Sequence, residues 1–202
     1  MSTAARTPKP VSAEALSRLK ATAGAGNYLD TPEDIHPYCQ PWRDGWPGTS
    51  PLVLKPRSTA ELAALVKVCA ETRTPIVPLS GNTGLTGASQ PHDDMSEVIL
   101  STERLNAVRA IDLQNDTITV EAGVILAEVQ RRSEAVNRFF PLSLGAEGYA
   151  GSAAICRPTP AASRCCATAI RERWCSGWKW YWPRERSGTA CAACARTTPA
   201  MT

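Results

Sequence analysis

The sequence has no apolar segment long enough to cross a lipid bilayer, so no transmembrane segment is expected. Its first ten residues also lack the apolar core of a secretory signal peptide. Histidine is scarce, since His36 and His92 are the only two and each lies in a polar stretch without a metal-ligand partner at helical spacing. No Ser-His-Asp or Cys-His catalytic arrangement and no metal site can be assembled from them. A soluble, cytoplasmic protein is the expectation.

The last quarter of the chain lacks the residues from which protein cores are usually built. Residues 151–202 contain no Leu, no Val and no Phe, yet they hold six of the eight Cys and four of the six Trp. Residues 1–150 carry 14 Lys+Arg and 17 Asp+Glu, a net charge of −3, whereas residues 151–202 carry 8 and 2, a net charge of +6. Because folded domains draw most of their core from Leu, Val and Phe, no stable domain is expected there.

A glycine-rich loop at residues 78–89 is the clearest functional signal in the sequence. Gly81, Gly84 and Gly87 stand three residues apart, and they follow an apolar run at residues 76–77 that predicts a strand. Glycine adopts positive φ without strain, so we expect these glycines to turn successive backbone N–H groups toward one point. Such a nest of amides suits a phosphate or diphosphate and needs no charged side chain. An ordinary surface loop is the alternative reading of this composition.

The loop matches neither of two familiar phosphate-binding motifs. The Walker motif needs Lys and then Ser or Thr directly after its last Gly, and Ala88 stands there instead. The Rossmann motif needs Gly-x-Gly-x-x-Gly at the start of a helix. Here the spacing is Gly-x-x-Gly-x-x-Gly, and Pro91 with the polar residues after it does not begin a long helix. The loop therefore belongs to neither class.

The remaining patterns predict a mixture of helices and strands. Ser58 is the predicted cap of a helix, with Glu61 completing a capping box and an apolar stripe that ends in Cys69, a plain core residue. Other helices are predicted at residues 11–23, with Gly24 as the stop, and at 124–132, with Val124, Val129 and either Ile125 or Leu126 inward. Residues 27–50 are rich in Pro, Gly and Trp and are predicted to be irregular. Strands are predicted at residues 52–54, 76–79, 98–100, 105–111 and 117–121.

Two motifs in order, Pro56-Arg57-Ser58-Thr59 and Ser80-Gly81-Asn82-Thr83-Gly84-Leu85, make this part of the chain resemble a known family. It is similar to the FAD-binding domain of the vanillyl-alcohol oxidase/p-cresol methylhydroxylase superfamily, and within it to the D-2-hydroxyacid dehydrogenases. The resemblance covers residues 11–148. It implies an α+β fold of the two-subdomain p-cresol methylhydroxylase type, incomplete here. Residues 1–50 would be a lead-in, 51–149 a partial FAD-binding domain and 150–202 a tail without a stable domain.

The resemblance also implies FAD as the cofactor, held by two loops. The first loop would cradle the pyrophosphate with Pro78, Ser80, Gly81, Asn82, Thr83, Gly84 and Leu85, and would continue the contact with Gly87 and Ser89. The second loop would border the flavin with Pro141, Leu144, Gly145, Ala146 and Gly148.

The activity implied by the resemblance is oxidation of a small D-2-hydroxy acid, such as D-lactate, glycolate or D-2-hydroxyglutarate, by hydride transfer to the flavin. In the family the substrate and metal ligands belong to a C-terminal substrate domain, so no catalytic residue is named in this chain. The alternative is an inactive, truncated product or a non-catalytic flavin or ADP binder.

Beyond Tyr149 the family pattern stops, and a shift of reading frame would explain the change. The relatives continue with Gly-Gly-Asn-Leu-Ser-Thr-Asn-Ala-Gly-Gly, whereas residues 153–162 read Ala-Ala-Ile-Cys-Arg-Pro-Thr-Pro-Ala-Ala. GC-rich codons for these residues encode the family sequence when they are read one base earlier. The same shift turns residues 174–183 and 196–202 into further family-like stretches. A zinc site, a disulfide framework or a nucleic-acid-binding tail is a weaker explanation, and no nucleic acid partner is expected.

Overall fold

The computed structural model describes residues 9–41, 45, 47–84, 87 and 89–152, together with the backbone of Lys179–Tyr181 and Ser187–Thr189. The chain divides into two units, Met1–Arg104 and Leu105–Thr202. Helices and strands are mixed within the described residues, and the α+β class is confirmed. None of the described helices is both long and apolar enough to span a membrane.

The first unit is built on a four-stranded sheet in the order β1-β2-β4-β3. Its strands are β1 (Tyr28–Leu29), β2 (Val53–Leu54), β3 (Ile76–Leu79) and β4 (Val98–Ser101). β1 runs antiparallel to β2, while β2, β4 and β3 are parallel to one another. β2 and β3 run in the same direction on either side of β4, and strands that run in the same direction cannot be joined by a tight turn. Helix α3 (Thr59–Thr72) therefore carries the chain from the end of β2 back to the start of β3.

β2 and β4 are buried on both faces of the sheet, which explains why their sequences are apolar runs, whereas the edge strand β3 has Pro78 exposed. One face packs against α1 (Ala13–Ala23) and α3, and the other packs against α2 (Pro32–Cys39). The first core contains Leu19, Ala23, Leu52, Leu54, Leu65, Val68, Cys69, Val98 and Leu100. The second core contains Ile35, Cys39, Val53, Val77, Leu79 and Ile99.

Side-chain caps fix the starts of the helices that the sequence predicts. Ser12 Oγ accepts the N–H of Ala15 at 3.2 Å and begins α1. Ser58 Oγ accepts the N–H of Glu61 at 3.2 Å and begins α3, as predicted. The return bond of the capping box is displaced by one residue, because Glu61 Oε2 accepts the N–H of Arg57 at 2.8 Å.

The prediction that residues 27–50 are irregular is wrong, because they contain β1 and α2. Thr31 caps α2, with its Oγ1 accepting the N–H of Asp34 at 3.3 Å, and Pro32 follows at the first helical position. Thr-Pro-Glu-Asp is a helix-start signal that the surrounding Pro, Gly and Trp residues obscured.

The second unit contains an antiparallel hairpin and one described helix. β5 (Val108–Asp112) pairs with β6 (Thr117–Val120), so the first of these strands begins three residues later than predicted. Helix α4 (Leu126–Glu134) follows. Leu126 is fully buried whereas Ile125 is 38% exposed, which decides between the two inward residues that the sequence left open.

In the tail, β7 (Lys179–Tyr181) pairs with β8 (Ser187–Thr189) in an antiparallel arrangement. Apart from these backbone segments, residues 153–202 lie outside the described residues. The expectation that residues 150–202 form no stable domain stays a prediction.

Candidate functional site

The glycine-rich loop leaves the sheet at the carboxyl end of β3, the edge at which the parallel strands β2 and β4 also end. In open sheets with parallel strands, ligands bind outside this edge. Thr102, directly after β4, donates its N–H to the carbonyl oxygen of Leu79 at 2.9 Å. This bond fixes the point at which the chain leaves β3 for the loop.

A charged cluster occupies the same edge, where β2 and β4 end. Lys55 Nζ lies 2.9 Å from the hydroxyl oxygen of Tyr38 and 2.5 Å from Glu103 Oε1. Burial disfavours the charged amine, but hydrogen bonds to Glu103 and Tyr38 outweigh it and raise the pKa of Lys55 above its ordinary value. Lys55 is therefore protonated at neutral pH and already paired with a carboxylate, so it does not serve as a base or nucleophile.

Three residues of the glycine-rich loop adopt left-handed backbone conformations: Gly81 (φ 62°), Asn82 (φ 49°) and Gly87 (φ 71°). The prediction of a positive φ at Gly84 is wrong. A Cβ atom there would lie 3.6 Å from Ser89 Oγ, which is ordinary van der Waals contact. Asn82 takes the turn in its place, because Asn tolerates the left-handed region better than other residues with a side chain.

The backbone of the loop leaves several amides available. Asn82 donates its N–H to the carbonyl of Ser80 at 2.7 Å, and Gln90 donates its N–H to the carbonyl of Gly87 at 3.0 Å. Within the described part of the chain, no acceptor is found for the N–H groups of Thr83, Gly84 and Gly87. Unpaired amides beside left-handed residues fit the oxygen atoms of an anion such as a diphosphate.

The other predicted residues of this loop differ in their exposure and in their hydrogen bonds. Pro78 lies in β3 with its side chain exposed, and it has no N–H to donate. Ser80 is half-buried, and Ser89 donates its hydroxyl to Asn82 Oδ1 at 3.3 Å. Leu85 lies outside the described residues.

Two glutamines beside the loop were missed by the sequence analysis. Gln90 Nε2 donates to Asn82 Oδ1 at 2.9 Å, and the backbone carbonyl of Gln40, at the end of α2, accepts from Asn82 Nδ2 at 2.7 Å. The contacts with Gln40 join positions more than 40 residues apart, so no local pattern indicates them, and the contact of Gln90 with Asn82 spans eight residues of a loop without a regular repeat.

The second predicted loop, residues 141–148, is held to the start of α4. Gln130 Nε2 donates to the carbonyl of Leu142 at 2.8 Å, and the N–H of Ala127 donates to the carbonyl of Glu147 at 3.0 Å. Of the predicted residues, Pro141, Leu144 and Ala146 are half-buried, whereas Gly145 and Gly148 are exposed.

Neither the backbone conformation nor the packing of this loop requires glycine at its two exposed glycine positions. A Cβ atom on Gly145 or Gly148 would meet nothing within 4 Å, and neither residue has a positive φ. The fold of the second unit therefore accepts a side chain at both positions. A requirement for glycine there would have to come from a ligand that approaches the loop closely.

The described residues offer no other reactive centre. They contain no group of three or more His, Cys, Asp or Glu side chains placed to hold a metal ion. His92 is 75% exposed and pairs with Glu97, their Nδ1 and Oε2 atoms 3.0 Å apart. Cys69 is a core residue as predicted, and burial raises the pKa of its thiol to about 11, so it is not a nucleophile at neutral pH.

Comparison with known proteins agrees with this geometry. Residues 50–156 match the model of a family described as "FAD binding domain". The chain is 33% identical over 123 residues to the mitochondrial D-2-hydroxyglutarate dehydrogenase of Bos taurus, covering 61% of this chain and 22% of that protein. It is 34% identical over 113 residues to a D-2-hydroxyglutarate–pyruvate transhydrogenase of Saccharomyces cerevisiae, covering 56% and 22%. The chain thus spans about a fifth of the length of these relatives.

Solved structures show the same fold. An alkyldihydroxyacetonephosphate synthase superposes with a TM-score of 0.61 at 18% identity, covering 72% of this chain and 29% of that one. The 4-ethylphenol oxidase of Gulosibacter chungangensis superposes with a TM-score of 0.55 at 25% identity, covering 65% and 27%. The glycine-rich loop and the parallel sheet that presents it lie within the matched residues. The chain therefore belongs to the FAD binding domain family, its fold is of the p-cresol methylhydroxylase type, and FAD is its cofactor.

Proposed function

We propose that this chain is the FAD-binding part of an oxidoreductase that oxidises a D-2-hydroxy acid, with D-2-hydroxyglutarate as the first substrate to test. The observation that carries the proposal is the group of unpaired amides at Thr83, Gly84 and Gly87, set beside left-handed turns at the carboxyl edge of the sheet. The names of the two relatives support this substrate class. A cytoplasmic location stays a prediction, and both the Bos taurus protein and others like it are named as mitochondrial.

The first loop would hold the diphosphate of FAD. The N–H groups of Thr83, Gly84 and Gly87 would donate to phosphate oxygens, while Gly81 and Asn82 supply the turn that orients them. Pro78, Ser80, Leu85 and Ser89 would flank this contact.

The second loop, residues 141–148, would border the flavin ring with Pro141, Leu144, Gly145, Ala146 and Gly148. Bound FAD supplies the hydride acceptor, and the residues of this chain bind and orient it. The exposed glycines fit this role, because a flat ring can approach a backbone that carries no side chain.

Titration of the purified 202-residue chain with FAD tests the first part of the proposal. We expect the flavin absorbance bands to shift and the flavin fluorescence to change on binding, with FAD displaced by ADP because both carry the diphosphate. FMN lacks the diphosphate and should compete poorly. A chain that binds neither FAD nor ADP would contradict the assignment of the first loop.

Substitution of Gly145→Ala tests the second loop separately. Since the added methyl group meets nothing within 4 Å, the melting temperature should stay unchanged. FAD affinity should fall while ADP affinity stays the same, because ADP lacks the ring that this loop would border. Equal loss of FAD and ADP affinity, or no loss of either, would contradict the flavin contact.

The remaining alternative is a flavin or ADP binder without catalytic activity. Reduction of a dye acceptor by D-2-hydroxyglutarate, D-lactate or glycolate in the presence of the FAD-loaded chain would favour the enzyme. FAD binding without turnover is expected of the FAD-binding part as well, because the resemblance places the substrate ligands in a C-terminal domain. Turnover is therefore the outcome of this assay that separates the two readings.

A further inference from the structure

Two side-chain amides connect the beginning of the glycine-rich loop to its end. Asn82 precedes the unpaired amides, and Gln90 follows them eight residues later. Gln90 Nε2 donates to Asn82 Oδ1 at 2.9 Å, and Ser89 Oγ donates to the same oxygen at 3.3 Å. The side chains of Asn82, Ser89 and Gln90 therefore join the two ends of this loop.

The same amides attach the closed loop to helix α2. Asn82 Nδ2 donates to the backbone carbonyl of Gln40 at 2.7 Å, and Gln90 Nε2 also reaches this oxygen at 3.4 Å. A carbonyl oxygen can only accept, so the Asn82 amide must point its NH₂ group toward Gln40 and its oxygen toward Gln90. The carbonyl of Gln40 thus determines the orientation of the Asn82 amide, and the Asn82 oxygen determines that of the Gln90 amide.

The network holds a backbone conformation that would otherwise be disfavoured. Asn82 has a φ of 49°, in the left-handed region. Its side chain is bonded on both sides, to Gln40 and to Gln90, and these two hydrogen bonds oppose rotation of its backbone out of this region. The direction of the Thr83 and Gly84 amides, which follow directly, depends on this turn.

Gln90 is itself held by a tightly packed neighbour. Pro91 is buried, and its carbonyl oxygen lies 1.9 Å from the place that a Cβ atom on Gly48 would occupy. Thr49 donates its N–H to the carbonyl of His92 at 2.9 Å. The chain after Gln90 is therefore fixed, and its side chain reaches the loop from a rigid base.

We propose that Gln90 is a positioning residue for cofactor binding. Gln40, Asn82, Ser89 and Gln90 form an amide clamp that holds the loop N–H groups in the direction required by an anionic group before that group arrives. This inference rests on the proposed FAD-binding function and adds Gln90 to it, a residue that was not among those predicted from the sequence. An organised site loses less conformational freedom on binding, so the clamp increases affinity without touching the ligand.

Gln90→Glu is the sharpest test, because it exchanges the NH₂ group for an oxygen at nearly constant shape. An ionised carboxylate would face two acceptors, Asn82 Oδ1 and the carbonyl of Gln40, and would repel both. A protonated carboxyl group regains one donor, its O–H. An ordinary Glu has a pKa of about 4.3, and the two neighbouring acceptors disfavour its charged form and so raise the pKa of the introduced Glu. FAD affinity of this variant should therefore fall by about tenfold or more between about pH 5 and pH 8.

Controls separate this effect from other titrating groups near the clamp. His36 lies 3.2 Å from the Gln40 amide, and His92 pairs with Glu97. These three titratable side chains are the same in the unaltered chain and in every variant. The unaltered chain corrects for them. Gln114→Glu, at an exposed position of the β5–β6 turn, is the matched control and should follow the unaltered chain at both pH values. Circular dichroism at each pH reports whether Gln90→Glu is folded.

Gln90→Leu provides the second measurement if the carboxylate variant unfolds at the higher pH. It keeps the bulk of the side chain and removes both donors, so we expect FAD affinity to fall about tenfold at every pH. Equal FAD affinity of Gln90→Leu and the unaltered chain, or no pH dependence in a folded Gln90→Glu, would overturn the clamp alone. An unaltered chain that binds no FAD would instead overturn the proposed function.

Discussion

At the scale of single residues, the three glycines of the first loop turn out to have different tasks. Gly81 and Gly87 adopt positive φ, whereas Gly84 does not and has room for a methyl group. Even spacing in the sequence suggested three equivalent positions. The difference arises because Asn82, which accepts the left-handed conformation, takes one of the turns and is held there by Gln40 and Gln90.

This difference leads to a paired prediction for Gly87→Ala and Gly84→Ala. Alanine at position 87 must adopt a left-handed backbone, which costs about 1 kcal/mol, or the loop must rearrange. We expect Gly87→Ala to weaken FAD binding by about fivefold or to lower the melting temperature. Gly84→Ala introduces only an ordinary contact with Ser89, so it should leave the stability unchanged.

Fluorescence titration with FAD and thermal denaturation, measured on both variants side by side, check this prediction. A larger loss of stability for Gly84→Ala than for Gly87→Ala would contradict the backbone conformations on which it rests.

At the scale of elements, helix α3 determines where the loop is presented. It joins β2 to β3 as a parallel crossover, and this connection places the end of β3 at the same edge as Lys55 and Glu103. The register of α3 depends on its start, which the Ser58 hydroxyl fixes. The position of a candidate binding loop thus depends on a cap more than 20 residues earlier in the chain.

We predict that Ser58→Ala lowers the free energy of unfolding by about 1 kcal/mol, the usual cost of removing a helix cap. Urea unfolding followed by circular dichroism measures the change. Ser17→Ala, at an exposed position inside α1, is the control and should be neutral or slightly stabilising, because Ala is the better helix former. An equal effect of the two substitutions would show that the hydroxyl of Ser58 contributes nothing as a cap.

At the scale of the whole molecule, the chain joins two stretches of different composition. Residues 1–150 carry a net charge of −3 and nearly all the branched apolar residues, whereas residues 151–202 carry +6 and have no Leu, Val or Phe. The family match extends over residues 50–156. The tail thus lies almost wholly outside the matched part, and a shift of reading frame remains our explanation for its composition.

Sequencing of the DNA beyond the codon for Tyr149 tests this explanation. We expect that the codons for residues 153–162, read one base earlier, encode Gly-Gly-Asn-Leu-Ser-Thr-Asn-Ala-Gly-Gly. Codons for residues 174–183 and 196–202 should give family-like sequence under the same shift. Codons incompatible with these sequences, or a stop soon after position 149 in the shifted frame, would exclude the explanation, and the tail would then need a role of its own.

The local features of this protein follow from its amino-acid sequence alone. The Ser58 cap, the apolar runs of β2 and β4, and the glycine-rich loop after β3 could all be predicted, because each depends on residues within a few positions of one another. The family and the cofactor also followed from contiguous motifs. Helix α2 also has a local start signal at Thr31-Pro32, so its beginning can be predicted from neighbouring residues as well.

The way in which the first loop is held, by contrast, depends on the packing of segments that are distant in the sequence. Gln40, Asn82 and Gln90 meet because the fold brings the end of α2 beside the end of β3, and contacts across more than 40 residues leave no mark in local spacing. The same holds for Gly48, whose lack of a side chain is required by the carbonyl of Pro91. Close packing between distant segments, rather than local propensity, therefore decided which glycines and amides shape this site.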